Sequence, residues 1–371
     1  RPPDPETVWI QPKAQIAMEC VDQPEPVRKG EELPIPSLES FLREHLELPE
    51  TPLEVEQFPA GYSNLTYLLK TGSDEFVLRR PPFGNQVKSA HDMGREYHVL
   101  SKLWKSYPPA PRPLAYCENE SVIGAPFYIM ERRKGVVMRK VAPESLRSNP
   151  EQVRRLCESF VDKLVELHSL NYKAAGLGEL GRPEGFIERQ VHGWTNRYQK
   201  SKTEELPAMN QTAVWLTENR PSESGAALIH NDYKYDNLIL EPTNLSQIIG
   251  VLDWEMATLG DPLMDLGVTL SYWVEATDSD AARKGSFGPT TLPGSYTRRD
   301  LVDRYRKQTG RNIENIHFYF CYGLFKLAVI VQQIYARFAR GLTKDPRFNN
   351  LNEMVRSLSE QAVEVIDKKT I

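Results

Sequence analysis

Hydrophobic positions follow two different rhythms along this chain. Between residues 53 and 131 they alternate in short runs, LEVEQF (53–58), SNLTYLL (63–69), EFVLRR (75–80), PLAYC (113–117) and PFYIME (126–131), with polar turns at TGSD (71–74) and ENES (118–121). Runs of this length, bounded by turn residues, predict short antiparallel strands. After His91 the period changes once, and Met93, Tyr97, Leu100 and Trp104 share one helical face with Glu96 beside them. The predicted order is therefore three strands, a helix and two more strands.

Beyond Glu131 helical spacing takes over. Val153, Cys157, Phe160, Leu164 and Leu167 mark a long buried helix, and CYGLFKLAVIVQQIYARF (321–338) a core helix interrupted by Lys326, Gln332 and Gln333. Upstream of the strands, Ser37 occupies an N-cap position before Leu38, Phe41, Leu42 and Leu46, which predicts a short amphipathic helix closed by Pro49. Residues 1–36 are proline-rich, with IQPKAQIAM (10–18) their one apolar interruption, and read as an extended arm; residues 277–299 read as a mobile loop. The division is an arm (1–36), a strand-rich lobe (37–131), a linker RRKG (132–135) and a helical lobe (136–371), an α+β chain in two lobes.

Composition narrows the partners. At 371 residues and 40% hydrophobic, the chain builds a substantial core. A net charge of −4 argues against a general nucleic-acid binder, whose footprint is basic. No apolar run approaches a membrane span. Cys20, Cys117, Cys157 and Cys321 lie far apart without Cys-x-x-Cys or His at metal spacing, which predicts neither zinc nor a disulfide framework, and suits a reducing compartment, the cytoplasm or an organellar matrix.

The chemistry concentrates in HNDYKYDN (230–237) and the apolar run that ends at Asp253. Phosphoryl transfer needs a carboxylate to align the acceptor hydroxyl and take its proton, and an amide oxygen and a second carboxylate to hold Mg²⁺ on the ATP phosphates. Asp232, Asn237 and Asp253 supply these groups in that order. A polar surface turn would explain any one of them; the flanking runs AALI (226–229), NLIL (237–240) and IIGVLD (248–253) instead set them between short strands.

The stretch from His230 through GDPLMDLG (260–267) resembles the aminoglycoside phosphotransferase and choline kinase superfamily, through its His-x-Asp-x-x-x-x-Asn loop, Leu-Asp-Trp-Glu metal strand and Gly-Asp-Pro-x-x-Asp-Leu tail. FVLRRPP (76–82), KSAHDMGREYHVL (88–100), VIGAPFYIMERRKG (122–135) and GLGELGRPEGFIERQVHGW (176–194) are similar to the branch found fused to, or encoded beside, acyl-CoA dehydrogenases, whose members are implicated in phosphorylating hydroxyacyl-CoA thioesters. The resemblance implies a two-lobed protein-kinase-like fold, an ATP-dependent phosphotransferase with an alcohol acceptor, Mg²⁺, and an acyl-CoA dehydrogenase partner. Asp232 becomes the catalytic base, Asn237 and Asp253 the metal ligands, and His230 and Asp265 structural braces of the loop. Arg79 stands where the superfamily carries a lysine, with Glu96 as its partner; alternation puts it on the face of Val77, opposite Leu78 and Arg80. The segment 59–67 takes the place of the phosphate loop with Gly61, Ser63 and Asn64, and Met130 and Glu131 fall at the adenine-contacting linker. Arg189, Trp194, Arg197 and Tyr198 form a basic-aromatic set suited to an anionic acceptor such as an acyl-CoA. An aminoglycoside or choline acceptor, and a nucleotide-binding scaffold without catalysis, stand as alternatives.

Overall fold

A computed structural model describes residues 22–59, 64–83, 92–343 and 345–371. Residues 1–21 of the expected arm, with IQPKAQIAM, and Gly61 and Ser63 of the expected phosphate loop lie outside the described residues. The rest of the arm touches both lobes: Glu25 bridges Gln57 in the first, and Asp22 pairs with Arg139 in the second at 2.6 Å.

Helix α1 (Ile35–His45) opens this lobe. Its N-cap is Pro34, not Ser37, because the Ser37 hydroxyl is turned away to the carbonyl of Val122 at 2.6 Å while Pro36 occupies the first turn, where no N–H is needed. The strands are β1 (Glu54–Gln57), β2 (Leu65–Thr71), β3 (Asp74–Arg80), β4 (Pro113–Cys117) and β5 (Phe127–Glu131), antiparallel in the order β1-β2-β3-β5-β4. One face buries Tyr67, Leu69, Leu78, Phe127 and Ile129 against Leu38 and Leu42 of α1. The other presents Val77, Tyr128 and Met130 to helix α2 (Met93–Leu103), in a core continuous with the second lobe. Arg79 lies on this second face, opposite Thr66 on β2 and Tyr128 on β5.

The second lobe is built on α3 (Pro150–His168), α4 (Phe186–Ser201) and α5 (Pro207–Glu218). Two small antiparallel ladders follow: β6 (Ala227–Ile229) pairs with β9 (Thr258–Gly260), and between them β7 (Leu238–Glu241) pairs with β8 (Asn244–Val251). Then come α6 (Pro262–Tyr272), α7 (Arg298–Thr309), α8 (Ile316–Ala339) and α9 (Leu351–Lys368). The expected loop over 277–299 is more ordered than its composition suggests. It contains a helical turn at Asp280–Lys284, buries Thr290, and ends in α7, where Thr297 and Asp300 form a capping box and Arg298 grips the Trp273 carbonyl at 2.8 Å. By length and hydropathy α8 could cross a membrane, but 78% of its most apolar stretch is buried inside the fold.

Two glycines let α6 and α8 touch backbone to backbone. A Cβ on Gly267 would stand 2.1 Å from the Tyr319 carbonyl oxygen, and one on Gly323 2.2 Å from that of Gly267. Gly267→Ala should therefore force the helices apart and cost at least about 1–3 kcal/mol, read as a lowered melting temperature. An unchanged melting temperature would mean that the helices do not meet there.

Candidate active site

The loop after β6 is held by one buried carboxylate. Asp265, in the first turn of α6, accepts the backbone N–H of His230 at 2.8 Å and of Asn231 at 2.7 Å, and is bonded to His168 at 3.1 Å. Burial opposes its charge, but the His168 hydrogen bond, the neighbouring imidazoles and the His230 N–H outweigh burial and lower its pKa. Asn231 adopts a left-handed conformation (φ 66°), tolerable for Asn, and its side-chain amide donates to the Met256 carbonyl at 3.0 Å. His230 donates from Nε2 to the Leu252 carbonyl at 2.9 Å, which leaves Nδ1 to accept the Asp232 N–H at 3.3 Å.

Asp232 emerges half-buried from this brace with both oxygens engaged. Its Oδ1 accepts the Tyr272 hydroxyl at 2.7 Å; its Oδ2 accepts Asn237 Nδ2 at 2.9 Å and faces Lys234 Nζ at 3.2 Å. The second Nδ2 hydrogen of Asn237 goes to the Asp232 carbonyl at 2.9 Å, so the amide orientation is fixed and Oδ1 turns away from the loop. The Asn237 carbonyl then accepts the Leu252 N–H at 2.8 Å, tying the loop to the residue before Asp253.

Asp253 also has left-handed backbone (φ 68°). Its Oδ1 meets Arg79 Nη2 at 3.1 Å, and Arg79 Nη1 meets Glu96 Oε1 at 2.5 Å. The Trp254 N–H closes on the same Glu96 oxygen at 3.1 Å, so strand β3, helix α2 and the Asp253 turn converge on one guanidinium. Burial works against the charge on Arg79, but Glu96, Tyr128 and Asp253 together hold its pKa well above the usual value. Burial likewise opposes ionisation of Asp253, and the facing Arg79, His230 and Lys234 overcome it and lower the pKa. Arg79 Nε, Glu96 Oε2 and Asn64 Oδ1 are buried without hydrogen-bond partners, which is costly unless water or a polar ligand meets them. Asn64 Nδ2 donates to Glu255 at 2.8 Å, and burial with the adjacent Asp253 charge pushes Glu255 up to about 8.

The oxygens left for a cation are Asn237 Oδ1 and Asp253 Oδ2. Both are hard donors, and a pair suits Mg²⁺, which keeps waters and substrate phosphates in its remaining positions. Among the described residues no group of three or more His, Cys, Asp or Glu makes a protein-only metal cage.

The other expected residues divide. Met130 and Glu131 pair with Val77 and Phe76, and the Glu131 N–H is engaged by the Arg112 carbonyl at 2.9 Å, which removes it as a donor to a base. The basic-aromatic set does not form one face. Arg189 and Tyr198 are nine residues apart, two and a half turns, and so lie on opposite sides of α4. The Arg189 guanidinium folds back on the carbonyls of Arg182 and Glu184, and Tyr198 is fully buried against Phe325. Trp194 and Arg197 stay together, the guanidinium 4.6 Å from the indole centroid, and Lys326 lies 5.7 Å from the same ring. Lys326, Lys234 and Tyr272 were not expected at the site. Lys326 left a signal in the sequence, a charge inside an apolar helix; Tyr272 left none.

A model of the phosphotransferase enzyme family matches residues 54–297. Acyl-CoA dehydrogenase family member 11 of Gallus gallus is 34% identical over 89% of this chain, yet the match covers 43% of that protein. The chain thus spans less than half the length of this relative. A solved candidate aminoglycoside phosphotransferase from Ralstonia eutropha is 31% identical, covers 91% of this chain and 99% of its own, and superposes with a TM-score of 0.78. An aminoglycoside phosphotransferase APH(4)-Ia, solved with AMP-PNP and hygromycin B, shares the fold at 14% identity and a TM-score of 0.58, over 88% of this chain and 98% of its own.

Proposed function

The chain belongs to the phosphotransferase enzyme family, and from that premise we propose that it transfers the γ-phosphoryl group of ATP to the hydroxyl of a small acceptor, a hydroxyacyl-CoA thioester. The observation that carries the transfer reaction is the Asp232–Asn237 pair, in which both Asn237 amide hydrogens face the Asp232 residue and both Asp232 oxygens are held. A carboxylate fixed in this way aligns the acceptor hydroxyl on the γ-phosphorus and takes its proton as the new P–O bond forms and the bond to ADP breaks. Asn237 and Asp253 would hold Mg²⁺, which neutralises charge on the phosphate oxygens. Arg79, oriented by Glu96, brings a second positive charge to the phosphates. Asn64 borders the phosphates from the first lobe, and Met130 and Glu131 border the base. The AMP-PNP bound by the APH(4)-Ia relative supports ATP as the donor.

Support for the acceptor comes from charge and kinship. Arg197, exposed on α4 with its guanidinium over the Trp194 ring, brings a cation that attracts an anionic acceptor and repels a polycationic one. The name of the Gallus gallus relative, and the length by which it exceeds this chain, support a reaction coupled to an acyl-CoA dehydrogenase. Phosphorylating an unactivated hydroxyl makes it a leaving group. The test measures ATP consumption with medium-chain 4-hydroxyacyl-CoA, kanamycin and choline at equal concentration, with the product confirmed by mass. Turnover should be fastest with the thioester; preference for either cationic acceptor overturns the acceptor assignment.

A further inference from the structure

Lys326 is the charge in this fold that packing least explains. It lies midway along α8, is 2% exposed, and is surrounded along the helix by buried apolar residues. Among the described residues no carboxylate is within ion-pairing distance, and Nζ makes one hydrogen bond, to the Asn231 carbonyl at 2.9 Å. A buried ammonium so poorly compensated lowers stability relative to methionine or leucine. The neighbouring carboxylate does not need it, because Asp265 already has two backbone N–H groups and His168.

What Lys326 does hold is the peptide unit between Asn231 and Asp232. The C=O end of that unit is fixed by Lys326, and the N–H end only by a 3.3 Å contact to His230 Nδ1. Rotation of this plane, in a turn already left-handed at Asn231, would swing the Asp232 side chain away from Tyr272 and Asn237. We infer that Lys326 is a positioning residue for phosphoryl transfer, which aims Asp232 by clamping the Asn231 carbonyl from the core helix. Burial drives its pKa down to about 8; Asp232 and Asp265 oppose that drop, while Lys234 and Arg197 add to it. The depressed value keeps the ammonium charged below pH 8 and lets it lose its proton above. The clamp therefore weakens on the alkaline side.

The inference rests on the phosphotransferase reaction but is tested separately from the acceptor. Hydrogen exchange over residues 229–238 of the full chain reads the loop without any turnover. Lys326→Met should speed exchange there and leave α3 and α6 unchanged, and equal protection in variant and wild type overturns the inference. With an acceptor that turns over, Lys326→Met should lower kcat by about 10- to 100-fold, the scale of an ångström-sized misalignment, with KM for ATP unchanged. The alkaline limb of kcat near pH 8 should disappear with it. Lys326→Arg keeps a cation that does not titrate and should move that limb upward. A limb that stays in place in Lys326→Arg, or a wild-type kcat in Lys326→Met, sinks the assignment; absence of wild-type turnover counts against the acceptor alone.

Discussion

Asp232→Ala should lower kcat by about 10²- to 10⁴-fold, the usual contribution of a positioned acid–base group, while Mg²⁺–ATP affinity stays near that of the wild type. The geometry separates the two effects. The Asp232 carboxylate touches Tyr272, Asn237 and Lys234, all in the second lobe. The Asp253 carboxylate instead meets Arg79 on the strand lobe, where the phosphates are proposed to lie. Asp253→Asn makes the contrast: with a neutral group in place of the carboxylate proposed to hold the metal, the Mg²⁺ dependence of nucleotide binding should weaken first. Melting with ATP, with and without Mg²⁺, reads binding, and ADP formation reads transfer. An Asp232→Ala protein that keeps most of its turnover rules out the base role. An Asp253→Asn protein with unaltered Mg²⁺ dependence removes the metal role.

Local patterns carried much of this into the sequence. PLAYC forms β4 residue for residue, and the alternation of Val77 and Arg79 against Leu78 and Arg80 is the alternation of the two sheet faces. Capping and acceptor contacts were less legible, because they depend on what a side chain meets across the fold. Ser37 has the chemistry of an N-cap but finds the Val122 carbonyl 85 positions away. Arg189 has the charge for an acceptor site but closes the loop ahead of its own helix. The residues that complete the Asp232 environment come from farther still, Tyr272 from 40 positions downstream and Lys326 from 95 beyond Asn231. Neither belongs to a motif that includes Asp232. Their roles follow from the packing of α6 and α8 behind the loop.

Arg79→Ala should be the most damaging change in the strand lobe, for stability and for ATP alike. Arg79 is 8% exposed and is the cation shared by Glu96, which is 1% exposed, and by Asp253. Its removal leaves Glu96, among the described residues, with the Trp254 N–H alone and strands a carboxylate that burial already pushes toward protonation. Breaking a buried pair from one side costs about 3–5 kcal/mol, so the melting temperature should fall and KM for ATP should rise. Arg79→Lys restores a charge on the same face, but a single ammonium cannot fork to Glu96 and Asp253 at once, so it should recover part of both losses. Arg80→Ala is the control one residue along. Arg80 is buried too, yet it donates to the Ile123 carbonyl at 2.9 Å and lies 3.7 Å from the Phe83 ring centroid, on the α1 side of the sheet and away from Asp253. Its loss should lower the melting temperature with KM for ATP unmoved. Were the two alanine variants to raise that KM alike, Arg79 would not be the phosphate-facing arginine, and the convergence of β3, α2 and the Asp253 turn would be packing without catalytic meaning.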